Sequence, residues 1–172
     1  MKRILVALAD GCEEMEAVVV VDMLRRGGLE VVAVGLKEGP VTASRGVRLL
    51  PDSPWPERPW EQFDALVLPG GGPGTQALLA DARVLEAVRE FARAGRLLAA
   101  ICAAPQVLQR AGVLGGKRVT CYPGVGAQLP DSIVVDEAVV EDGAVITGRG
   151  PGASFVFALA LVARLAGAEK AR

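Results

Sequence analysis

The sequence predicts an α/β protein: a doubly wound sandwich around a mostly parallel sheet, with one small β-hairpin excursion. Three observations carry this. Short, largely apolar runs recur at Ile4–Ala9, at Phe63–Leu68 and at the start of Arg96–Leu108, as in strands buried on both faces of a sheet. Segments with helical spacing separate them, and strand–helix–strand order implies right-handed parallel crossovers. Composition agrees: 51% of residues are hydrophobic but only 4% aromatic, so the core is expected to be layers of Val, Leu and Ala.

In chain order, Ile4–Ala9 is the first strand and Asp10–Met15 a polar turn. Glu16–Arg26 reads as a helix with Val18, Met23 and Leu24 on its apolar side, stopped by Gly27-Gly28. Leu29–Leu36 is a second strand. Val41–Ser44 and Val47–Leu50 form the hairpin excursion, and the proline-rich Pro51–Pro59 is loop. Phe63–Leu68 is a third buried strand and ends in the loop Pro69–Gly74. Asp81–Ala94 is a helix with Leu85, Val88 and Phe91 at helical spacing. The next apolar run turns at Cys102 into a helix that stops at Gly112. Lys117–Tyr122 is another strand. Ile133–Val140 and Ala144–Thr147 pair around the turn signal Glu141-Asp142-Gly143, and Ser154–Leu165 is the last helix. With 172 residues and no linker of domain size, the chain 1–172 is expected to be one domain.

Charge and composition narrow the function. A net charge of −1 without a basic cluster argues against nucleic acid and against a membrane surface. The apolar start at Ile4 is interrupted by Asp10, Glu13 and Glu14 too soon for a secretory leader, and no apolar run is long enough to span a bilayer. Three cysteines at irregular spacing make no disulfide framework, so a reducing cytoplasm is the expected compartment. The chain has no histidine, which removes Cys-His and Ser-His dyads and most zinc sites.

The chemistry gathers on loops expected at the carboxyl ends of the strands. Cys102 sits where a strand turns sharply into a helix, with the small residues Ala100 and Ala104 on either side, as a nucleophile elbow requires. The helix start that follows favours thiolate, so a thiol below its free value is expected. The backbone N–H groups of Gly71 and Ala103 are candidates for an oxyanion hole. Glu16 opens the first helix and is expected to point inward beside the sulfur, with a raised pKa suited to acid/base work. Glu13 and Glu14 read as a solvated loop. Cys12 and Cys121 read as small packing residues, with a resolving disulfide to an oxidised Cys102 as the alternative.

Four segments, Ala9–Glu16, Val67–Gly71, Ala99–Pro105 and Thr147–Phe155, occur together in an order that resembles the ThiJ/PfpI superfamily in its DJ-one, protein deglycase branch. The resemblance covers nearly the whole chain. It implies a flavodoxin-like fold and a homodimer, with Cys102 reactive, Glu16 hydrogen-bonded to it, and Gly70 and Gly71 helping to build the pocket. It places Arg26 and Arg45 near the dimer contact and the pocket. Tyr122 stands where a pocket histidine is usual in that branch, and Ala103 where the peptidase branch has its histidine. Ala104 replaces a more usual glycine and is expected to strain the turn. The resulting expectation is a cofactor-free, metal-free enzyme acting on small aldehydes or glycated side chains. A redox sensor or holdase acting through oxidation of Cys102 is the alternative, and peptidase or amidase activity ranks third.

Overall fold

The computed structural model describes residues 1–56 and 60–172. Its centre is a seven-stranded sheet of β1 (Arg3–Leu8), β2 (Glu30–Gly35), β5 (Ser53–Pro54), β6 (Ala65–Leu68), β7 (Leu97–Ile101), β10 (Val139–Asp142) and β11 (Val145–Gly148). The strand order is β10-β11-β7-β6-β1-β2-β5, and every pairing is parallel except β10 with β11. The hairpin excursion is present as β3 (Val41–Thr42) and β4 (Arg48–Leu49), an antiparallel pair outside the main sheet. Two further strands, β8 (Arg118–Val119) and β9 (Ile133–Val134), pair in parallel as a separate ribbon.

Alternation along the strands divides the core in two. Ile4, Val6, Val67, Ala99 and Ile101 face one side, where helices α1 (Glu14–Arg26) and α5 (Ser154–Ala166) pack through Ala17, Val20, Leu24, Phe157 and Leu161. Leu5, Ala7, Leu66, Leu68, Leu98 and Ala100 face the other. There they meet α2 (Gly72–Ala80), α3 (Ala82–Arg93) and α4 (Pro105–Arg110) through Leu78, Val88, Phe91 and Leu108. Two covered faces explain why the strands read as unbroken apolar runs. No helix among the described residues is long and apolar enough to cross a membrane.

Several boundaries differ from expectation. Helix α1 starts two residues early, at Glu14, because Glu13 caps it: its carboxylate accepts the Glu16 N–H at 2.8 Å. Val18, expected on the apolar side, is 48% exposed. Ser53 and Pro54 form an edge strand inside the expected loop, where proline is tolerated because no outer neighbour needs its N–H. Residues 57–59 of that loop lie outside the described residues.

The glycine run after β6 is not all loop. It opens α2, with Pro73 in the first helical turn, where a missing N–H costs nothing. Asp81 ends α2 and caps α3, its carboxylate accepting the Arg83 N–H at 2.9 Å. The expected strand Lys117–Tyr122 is ordered as strand only at Arg118–Val119 and joins the ribbon. The expected Ile133–Val140 divides between β9 and β10, and the hairpin turn moves to Gly143-Ala144.

The order of strands locates the site. From β1 the chain winds outward through β2 to β5, then crosses back to β6 on the other flank of β1. Loops diverge at such a switch point and leave a crevice beyond the carboxyl ends of the strands. Glu13–Glu16, Gly70–Gly71 and Cys102 follow β1, β6 and β7, the three adjacent strands at that crevice.

Candidate active site

Cys102 immediately follows β7. Among the described residues it is the one non-glycine with positive φ, at 65°. A side chain in that region is strained and persists only where its surroundings fix it. They do so here from both sides: the Cys102 N–H donates to the Gly148 carbonyl at 2.9 Å, and its carbonyl accepts the Tyr122 N–H at 2.9 Å. The elbow is therefore real, but the strain is not at Ala104, which is helical with φ −65°.

Glu16, on the first turn of α1, is fully buried. Its Oε2 accepts the Gly70 N–H at 2.7 Å, and its carboxyl interacts with the Cys102 thiol. Gly70 is a required glycine. A Cβ there would lie 2.6 Å from Cys102 Cβ and 2.7 Å from Glu16 Oε2, so the close meeting of these three residues needs a bare backbone. Gly71, at φ +90°, has no room either, since a Cβ would lie 2.4 Å from the Gly11 carbonyl oxygen. Its N–H and that of Ala103 both reach the Cys102 sulfur. The two donors expected to form an oxyanion hole thus converge on the Cys102 sulfur.

Burial decides the electrostatics. It pushes the Glu16 carboxyl up to about 7, against the pull of the Gly70 N–H. Burial, then the charge on Glu16, pushes the Cys102 thiol up to about 12, against the Gly71 and Ala103 N–H groups. The expected thiol below its free value is corrected accordingly: the helix that follows has only six residues, and desolvation outweighs it. The pair gives up one proton near neutrality and holds the second. That arrangement suits moving a proton between carboxyl and sulfur.

The remaining expected residues are placed as follows. Tyr122 touches the elbow through its backbone, while its ring lies on Gly150 and is 49% exposed. It lines an open cavity of about 560 Å³ with Pro123, Arg149 and Val156. Arg45 is exposed on the β3–β4 turn, and Arg26 pairs with Asp22 at 2.9 Å on the surface of α1. Cys12, Cys102 and Cys121 are all buried and free; burial pushes Cys12 up to about 11.

Sequence reasoning missed Glu13 and Glu14. Glu14 is 8% exposed, not solvated, and accepts the Ser44 hydroxyl at 2.8 Å and the Arg45 N–H at 2.7 Å, tying the β3–β4 turn to α1. Together with its own N–H and that of Val47, these donors hold the Glu14 carboxyl below its ordinary value despite burial. An acidic residue three positions before Glu16 was a legible capping signal for Glu13. Nothing local announced the Glu14 partners, which come from 30 residues away.

The family model described as DJ-1/PfpI matches residues 2–164. The chain is 45% identical to Protein dj-1beta of Drosophila melanogaster, over 98% of this chain and 92% of the fly protein. The crystal structure of Drosophila melanogaster DJ-1beta superposes with a TM-score of 0.95 at 44% identity, covering 99% of this chain and 93% of that one. The Caenorhabditis elegans protein named glutathione-independent glyoxalase DJR-1.2 is 37% identical, over 94% of this chain and 87% of the nematode protein. With a matching model over most of its length, and relatives this similar across nearly all of it, the chain belongs to the DJ-1/PfpI family.

Proposed function

We propose that this protein is a cysteine-dependent, cofactor-free enzyme acting on small reactive carbonyls, of glyoxalase or protein deglycase type. The observation that carries the reading is the buried contact of Glu16 with Cys102 under two converging N–H groups. The name of the nematode relative supports the substrate class.

In this reading the Cys102 sulfur attacks the aldehyde carbon of an α-oxoaldehyde such as methylglyoxal. As the carbon–sulfur bond forms, the S–H bond breaks; Glu16 takes that proton and passes it to the former carbonyl oxygen, giving a hemithioacetal and leaving Glu16 as the carboxylate. The Gly71 and Ala103 N–H groups stabilise the developing oxyanion. The Glu16 carboxylate then removes the proton from the former aldehyde carbon and returns it to the neighbouring carbon, while the hydroxyl proton moves from the first oxygen to the second. The result is a 2-hydroxyacyl thioester, which water cleaves to a hydroxy acid and free thiol. Aldehyde plus water gives hydroxy acid, with no external oxidant or reductant. A homodimer belongs to the same proposal, with Arg45 and Tyr122 at the edge of the pocket.

Methylglyoxal turnover by wild type and Cys102→Ser tests it. Loss of turnover in the variant is expected; a wild-type rate no faster than that of Cys102→Ser would sink the reading. The same two N–H donors also suit the oxygens of a Cys102 sulfinate, which favours redox sensing as the second reading.

A further inference from the structure

Three hydrogen bonds close a circuit beneath the Cys102–Glu16 pair. The Glu13 N–H donates to the Gly70 carbonyl at 2.9 Å, the Gly70 N–H donates to Glu16 Oε2 at 2.7 Å, and the Glu16 N–H donates to Glu13 Oε2 at 2.8 Å. Any side chain on Gly70 would collide with the Cys102 Cβ. We propose that Glu13 is a positioning residue for the site, its carboxylate fixing the first turn of α1 so that Glu16 meets Gly70 and Cys102, and placing a second acidic group beside Glu16. The inference rests on the proposed roles of Glu16 and Cys102.

The sequence gives a reason to separate this from ordinary capping. Asp, Asn, Ser and Thr are the usual caps and bring no long side chain. Glu13 spans the same gap with an extra methylene and sets a second negative charge near a buried acid. The groups that face Glu16 are Glu13 from its own helix, the Gly70 N–H from the loop after β6, and Cys102 from the turn after β7. Like charge disfavours ionisation, so Glu13 raises the proton affinity of Glu16 in addition to burial. A Glu16 that titrates near neutrality can both give and take a proton at working pH.

The test reads the pair without any aldehyde. The Glu16 side-chain carboxyl resonance, followed by 13C NMR as a function of pH, gives the midpoint at which Glu16 loses its proton. Glu13→Gln keeps an acceptor for the Glu16 N–H but removes the charge, so its midpoint should fall by about half a unit to one unit. Glu13→Asp keeps charge and cap and should retain the wild-type midpoint. Glu13→Ala loses both and should show the lowered midpoint together with reduced methylglyoxal kcat at unchanged KM. Coincident midpoints for wild type and Glu13→Gln, both folded, would overturn the proposal, as would a Glu13→Asp midpoint that follows Glu13→Gln. If the protein turns over no aldehyde, the carbonyl reading fails on its own while the Glu16 midpoints still decide the role of Glu13.

Discussion

At residue scale the site rests on one buried carboxyl and one strained cysteine. Glu16→Gln keeps the shape and a donor but cannot exchange a proton, so it should lower turnover by roughly 10²–10⁴-fold while leaving the fold intact. Its stability should also respond differently to pH. Glu16 is raised in the folded protein from 4.5 to about 7. A raised acid contributes stability that is fully present below the unfolded value and is lost as pH rises through the folded one. Wild type should therefore lose roughly 3 kcal/mol relative to Glu16→Gln between pH 4.5 and about 7, by urea denaturation at each pH. Parallel stability curves would mean that Glu16 is not held protonated. Cys102, Glu16, Gly70, Gly71 and Ala103 were legible because an elbow, a glycine run and an acidic helix start each have a local pattern. The raised thiol was not legible, since desolvation depends on what packs above the turn.

At the scale of elements, each core face serves one set of helices. Phe91 of α3 is fully buried on the face opposite α1. Phe91→Ala should cost about 4 kcal/mol in stability yet leave methylglyoxal kcat of the folded enzyme unchanged, because the Glu16 side of the sheet does not touch it. A loss of kcat without a loss of stability would contradict that separation. The elements themselves were readable where apolar periodicity was strong, as in β1, β7 and α3. Helix α2 was hidden because Gly72-Pro73-Gly74 has loop propensity and is helical only under tertiary packing. The strands β8 and β9 are two residues each, too short for any periodicity to show.

At the scale of the molecule, apolar side chains remain uncovered on α1, α5 and after β4: Met15 is 55% exposed, Val18 48%, Leu50 79% and Phe155 62%. Burial of such surface favours association, and the proposed homodimer is expected to use the exposed face of α1. Light scattering at micromolar concentration should give twice the chain mass, and Val18→Glu should return it to one chain mass. A single-chain mass for wild type would remove the dimer from the proposal.

The sequence alone determined that this chain forms buried parallel strands, that Cys102 occupies a strand-to-helix turn, and that Glu16 and a glycine loop belong beside it. Those features follow from side-chain period, glycine and residue size, which act over a few neighbouring positions. Only the tertiary structure supplied the reason these loops share a crevice, the reversal of strand order at β1. It likewise decided that Glu14 is buried under the β3–β4 turn and that Glu13, Gly70 and Glu16 close one hydrogen-bonded circuit. The contacts of Glu14 with Ser44 and of Glu16 with Gly70 are long-range, their partners fixed by the packing of whole elements, whereas the Glu13–Glu16 bond follows from a spacing of three residues.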